Sequence, residues 1–93
     1  MKIVKKDQAF IAYNDNDVQI GEAITAPTEN EGVVAATSVY VDPEYRSEGI
    51  AGQLVDALAE DARQQNYLVY PVCPYVVKKF DRETKYRDID SRH

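Results

Sequence analysis

The residues best equipped for chemistry fall in two short stretches. The first reads Asp42-Pro43-Glu44-Tyr45-Arg46-Ser47-Glu48-Gly49-Ile50-Ala51-Gly52. It leaves a β-branched run and enters a helical pattern, so a turn delivers the chain into a glycine-containing helix start. The leading N–H groups of a helix have no internal acceptor, and its dipole places about half a positive charge there. Such a terminus can hold an anion, and phosphate suits it well. Gly49 and Gly52 lack a Cβ, which would let a phosphate come close to the backbone. A helix start that holds no ligand is the plainer reading of the same residues. The second stretch is Tyr70-Pro71-Val72-Cys73-Pro74-Tyr75-Val76. Cys73 closes an apolar segment just before a helix, and a helix N-terminus lowers a thiol pKa. The alternative for a lone cysteine is a small buried hydrophobe. Tyr75 carries a phenol that can donate a proton, or it packs. Lys78, Lys79, Arg82, Lys85 and Arg87 form the one basic cluster, and a solvated helix face is its default reading.

The elements that must position these groups follow from periodicity. Ala9–Tyr13 is an apolar run ending at the turn-forming Asn14-Asp15-Asn16-Asp17. Val18–Ile24 alternates, with Val18, Ile20 and Ile24 on one face and Glu22 interrupting it. Glu22 could accept a proton from an amine, or simply be solvated. Val33–Val41 is rich in β-branched residues, with Val33, Ala35, Thr37, Val39 and Val41 on one face. These three strands predict an antiparallel meander. Ile50, Ala51, Leu54, Val55, Leu58 and Ala62 then recur at helical spacing, and Asn66 is placed as a left-handed C-cap. Tyr67–Tyr70 begins a fourth strand, bracketed by Pro71 and Pro74, and a short helix follows from Tyr75 to Phe80. Beyond Asp81 the chain is mostly charged and reads as a loosely docked tail. The expected fold is α+β: one mixed sheet with the meander, a β-α-β crossover making strands three and four parallel neighbours, and a C-terminal helix.

Composition removes several function classes. At 93 residues there is room for one domain spanning 1–93. Sixteen acidic residues against eleven basic ones give a net charge of −5, the wrong sign for a duplex nucleic-acid binder or for an anionic membrane surface. The single cysteine excludes an intrachain disulfide, and His93 is the only histidine, which removes His-based triads and His-rich metal sites. The N-terminal lysines are followed by no apolar stretch of the kind a secretory signal carries, so a cytoplasmic location is expected.

Arg46-x-x-Gly49-x-Ala51, lying between a strand and a helix, resembles the Q/R-x-x-G-x-G/A signature of the GNAT superfamily of N-acetyltransferases. Cys73-Pro74-Tyr75-Val76 is similar to an element of a compact GNAT subgroup of about this length, and Lys85-Tyr86-Arg87-Asp88-Ile89 echoes its closing segment. The resemblance runs from about residue 9 to 89. It implies a GNAT-like acyl-CoA N-acyltransferase fold and transfer of acetyl from acetyl-coenzyme A to an amine. It gives the coenzyme pyrophosphate to the amides of Gly49, Ile50, Ala51, Gly52, Gln53 and Leu54, with Arg46 in the same motif. Val39, Tyr40 and Val41 would line the pantetheine arm, where two parallel strands splay apart. Cys73 would stand beside the thioester, as nucleophile or pocket wall, and Tyr75 would protonate the departing thiolate. Lys78 and Lys79 would clamp the adenosine phosphates. Ser47 departs from a common glycine, and Ser38-Val39 from a common His-Thr pair, so any histidine base is missing. The acidic balance favours a cationic acceptor: a polyamine, a lysine side chain or a peptide amino terminus. The short lead before the first strand predicts an acceptor site that is open or completed by a second subunit in a homodimer. The competing class is a non-catalytic coenzyme A-binding sensor or interaction module.

Overall fold

The computed structural model describes residues 1–93. Five strands form one sheet in chain order: β1 (Lys2–Lys6), β2 (Ala9–Tyr13), β3 (Gln19–Pro27), β4 (Val33–Val41) and β5 (Leu68–Pro71). The first four are antiparallel neighbours, and β5 lies parallel to β4. Helix α1 (Ile50–Gln65) makes the crossover, and α2 (Pro74–Arg82) follows β5. The expected mixed sheet, crossover and C-terminal helix are all present. No helix is long and apolar enough to cross a membrane.

The meander has four strands rather than three, because Lys2–Lys6 pairs with β2. Three lysines in five positions hide this strand in the sequence. At a sheet edge, however, lysines blunt the exposed ladder against further pairing. Ile3 packs against the core, while Lys5 reaches Asp61 on α1 at 2.7 Å.

Two β-bulges correct the expected faces. Tyr13 pairs with Gln19 and Ala12 with Gly21, so Ile20 is an extra residue on β3. Likewise Ile24 pairs with Ser38 and Thr25 with Ala36, which makes Thr37 the extra residue on β4. Each bulge shifts the alternation by one residue. The buried set on β3 is therefore Ile20, Gly21, Ala23 and Thr25, while Val18 is exposed. On β4, Ala36 and Val41 enter the core and Thr37 does not. Ile20, Ala23, Ala36 and Val41 meet Ile50, Leu54, Val55, Leu58, Ala59 and Ala62 of α1 in a single cluster that also takes in Val76 and Phe80 of α2. Asn66 ends α1 in the left-handed region (φ 59°, ψ 50°), as expected. Its neighbour Tyr67 turns back to donate its N–H to Ala62 O at 3.0 Å.

The segment after α2 is firmly docked, against the expectation of a loose tail. Tyr86 is buried, stacks on Phe80 with ring centroids 5.1 Å apart, and donates its hydroxyl to Asp56. Ile89 O accepts from Val69 N–H at 2.7 Å, and Ser91 N–H donates to Val69 O at 2.9 Å, so the segment runs beside β5 as a short parallel bridge. The buried Asp90 carboxylate accepts from the Arg92 backbone and guanidinium. Burial pushes this carboxyl up, but the Arg92 hydrogen bonds and charge outweigh it and leave it below its ordinary value.

Candidate functional site

The β4–β5 ladder stops early. It ends at Ala36 and Pro71, and the N–H groups of Val72 and Cys73 both converge on Ala36 O at 3.1 and 3.0 Å. Pro71 has no N–H to offer, and Pro74 opens α2 in its first turn, so the chain leaves the sheet here. Strand β4 runs on to Val41 without a neighbour on that side. The hydrogen bond from Asp42 N–H to Ile20 O, at 2.8 Å, sets the phase of the β3–β4 ladder. Residues alternate in which side they bond. The Val39 N–H and C=O and the Val41 N–H consequently point away from β3, into the gap that β5 has vacated. The Val41 carbonyl on that side accepts from Arg46 Nε at 3.1 Å.

The start of α1 faces the same region. Asp42 caps the short 3₁₀ turn Pro43–Tyr45 by accepting from Glu44 N–H at 3.0 Å, and the turn aims the chain at the helix. Gly49 is the N-cap, at φ +74°, a conformation that disfavours residues with a Cβ. The N–H groups of Ser47, Gly49, Ile50, Ala51 and Gly52 donate to no acceptor in the protein. The expected amides of Gln53 and Leu54 are not among these free groups. Gln53 N–H is already bonded to Gly49 O at 3.2 Å, and Leu54 lies deeper in the helix with its side chain in the core. Ser47, unlooked for in the sequence, adds a donor, because its amide escapes the loop's own turn bonds.

Val39, Tyr40, Val41, Arg46, Ala51 and Tyr75 line one cleft of about 320 Å³. It connects the unpaired strand edge to the helix start. Six of the residues expected at the site thus come together, from β4, the loop, α1 and α2. Arg46 lies over the Tyr40 ring, 5.7 Å from its centroid. A Cβ on Gly52 would stand 3.4 Å from Lys79 Nζ and 3.7 Å from the Tyr75 hydroxyl, so both side chains of α2 reach the first turn of α1. Lys79 also bonds Glu83 at 2.8 Å. That hydrogen bond raises the Lys79 pKa and lowers that of Glu83, so the ammonium stays charged at neutral pH. Two other hollows, of about 260 and 550 Å³, are bordered by ion pairs already satisfied within the chain, Met1–Asp15 and Lys85–Asp56.

Other expected residues lie elsewhere. Lys78 is exposed and forms no ion pair, being turned about 100° from Lys79 around the helix. Lys85 faces Asp56 and Glu83, so the basic residues do not act as one cluster. Cys73 is the N-cap of α2, buried at the fork between β4 and β5, with its sulfur in no cap hydrogen bond. It does not line the cleft. Glu22 is half-buried, pairs across the strands with Tyr40, and accepts from Gln19 Nε2 at 2.8 Å. Glu83 was not singled out in the sequence. Its spacing of four from Lys79 was the available signal.

A strand edge left unpaired by a splayed parallel neighbour, meeting a helix start with free amides, is a particular arrangement. The model of the GCN5-related N-acetyl-transferase family matches residues 2–89. The chain belongs to this family. Among solved structures, a Staphylococcus aureus protein described as a GCN5-like N-acetyltransferase is 19% identical, with a TM-score of 0.76 over 96% of this chain and 86% of its own. An acyl-CoA N-acyltransferase described from Klebsiella pneumoniae is 25% identical, with a TM-score of 0.60 over 68% of this chain and 43% of its own. A ribosomal-protein-alanine N-acetyltransferase from Brucella melitensis is 24% identical, with a TM-score of 0.59 over 89% of this chain and 60% of its own. No curated protein matches the chain. This member of the GCN5-related family therefore shares the acyl-CoA N-acyltransferase fold, in a shorter chain than the last two.

Proposed function

We propose that the chain is a single-domain acetyltransferase that draws acetyl from acetyl-coenzyme A and delivers it to an amine. The observation that carries this reading is that two sets of unsatisfied backbone groups border one cleft, which Val39 and Val41 line from the strand and Ala51 from the helix start. The amides of Ser47, Gly49, Ile50, Ala51 and Gly52 suit a pyrophosphate, and the Val39 and Val41 edge suits the amides of a pantetheine arm, as a β-strand would be matched. Lys79 and Arg46 supply positive charge beside them. The thioester would supply an activated acetyl group, and the protein's part is to hold donor and acceptor in register. Tyr75, exposed in the cleft next to Lys79, is the residue to protonate the leaving thiolate. Buried Cys73 packs into the core at the fork and does not act as a nucleophile. The net charge of −5 supports a cationic acceptor, whether polyamine, lysine side chain or peptide amino terminus.

A non-catalytic coenzyme-binding module is the second reading. It draws on the absence of any carboxylate or histidine from the cleft lining. The two are separated by incubating the protein with acetyl-coenzyme A and a panel of amines while following free thiol. Amine-dependent thiol release supports the enzyme. Tight coenzyme binding without release from any amine supports the module.

A further inference from the structure

Lys79 is already occupied. Its Nζ lies 2.8 Å from Glu83 Oε2, with the Lys79 side chain only 22% exposed. The same ammonium stands 3.4 Å from the position of a Cβ on Gly52, over a helix turn whose N–H groups are unbonded. Glu83 has a second cation within reach: Lys85 Nζ is 3.6 Å from its other oxygen, and Lys85 also contacts Asp56 of α1 at 3.2 Å. If Lys79 turned toward an anion at the helix start, Glu83 would keep a positive neighbour.

We propose that Glu83 is an internal substitute for phosphate, holding Lys79 in the ligand-free protein and releasing it to a phosphate group of the coenzyme at the start of α1. The inference rests on the coenzyme reading above and adds a residue that sets its affinity. Glu83 is a positioning residue, because it acts through Lys79 and never touches the coenzyme. Each bound phosphate gains Lys79 only as the Lys79–Glu83 contact is lost, so the carboxylate weakens coenzyme binding. The hydrogen bond between them holds the Lys79 pKa up and the Glu83 pKa down, so both partners are charged near neutral pH and the competition is fully developed there. Ion pairs at a protein surface are worth little, so removing this one should tighten coenzyme binding about two- to fivefold.

The test is calorimetric titration of coenzyme A, at low ionic strength, into four folded proteins: wild type, Glu83→Gln, Lys79→Gln and the double variant. Thermal midpoints confirm that each is folded. Glu83→Gln should bind more tightly than wild type and Lys79→Gln more weakly. In the Lys79→Gln background, Glu83→Gln should add nothing, a non-additivity that general loosening would not produce. Equal gains in both backgrounds would overturn the proposal, since the carboxylate would then act by repelling phosphate directly. An unchanged or weakened affinity in Glu83→Gln would overturn it too. No binding by any of the four would instead sink the coenzyme reading itself.

Discussion

In Gly52→Ala the new Cβ would meet the tip of Lys79, 3.4 Å from Nζ and 3.5 Å from Cε, which can swing aside, and would touch the Tyr75 hydroxyl at an ordinary contact distance of 3.7 Å. Gly52 lies inside α1, where glycine costs about 0.5–1 kcal/mol relative to alanine. The ligand-free variant should therefore gain that amount, raising its melting temperature by about 2–8 °C for a domain of this size. Coenzyme binding should move the other way. The methyl group stands beside free amides at the helix start, and losing one charge-assisted N–H bond there costs about 1.5–3 kcal/mol, or at least about tenfold in affinity. With coenzyme A at about a hundred times the wild-type Kd, linkage stabilises wild type by about 2.7 kcal/mol and the variant by about 1.4 kcal/mol or less. Thermal unfolding with and without coenzyme A reads both numbers in one experiment. A variant that is stabilised while keeping the full coenzyme shift would refute the claim that phosphate approaches the first turn of α1.

Gly49→Val acts through the backbone instead, because nothing crowds its Cβ but its φ is +74°; it should destabilise the ligand-free protein by about 1–2 kcal/mol in urea unfolding. Tyr86→Ala should cost about 3–5 kcal/mol and lower the melting temperature by more than about 10 °C, whereas a loosely docked segment would show almost no change. The lowered pKa of Asp90 means its stabilisation is complete above the unfolded-state value near 4 and is lost as pH falls through the folded value, so Asp90→Asn should be less stable at pH 7 and show a shallower acid limb in pH-dependent unfolding. Cys73→Ser should keep turnover within about tenfold, since a serine at that N-cap can bond the first turn of α2; a loss of about a thousandfold or more with unchanged coenzyme affinity would make Cys73 the nucleophile.

How much was legible in the sequence varied with how local the cause was. The helical spacing from Ile50 to Ala62 and the Asn66 cap are local, and α1 formed where they predicted. The Arg46–Gly52 loop was legible for the same reason, since turn residues and glycines act within a few positions. The bulges at Ile20 and Thr37 were not, because a bulge is a property of a strand pair rather than of either strand. Those bulges matter to the site: the one at Thr37 turns the backbone groups of Val39 and Val41, rather than those of Tyr40, toward the gap. Strand β1 was hidden by lysines whose role appears only once an edge exists. The C-terminal segment looked solvated because its charges outnumber its apolar residues, yet Tyr86 and Ile89 are enough to bury it, with Arg63–Asp88 and Arg92–Asp90 satisfying the charges. The reach of Lys79 and not Lys78 to α1 depends on how two helices pack, which no single stretch encodes.

The central claim is that the amides at the start of α1 and the unpaired edge of β4 hold one ligand between them. The most direct measurement is a titration of nitrogen-15-labelled protein with acetyl-coenzyme A, followed amide by amide in proton–nitrogen correlation spectra. The account predicts saturable shifts centred on Ser47, Gly49, Ile50, Ala51 and Gly52 together with Val39 and Val41, while Lys2–Lys6 stays still. Shifts confined to one of the two sets, or a spectrum that does not change at saturating ligand, would contradict it.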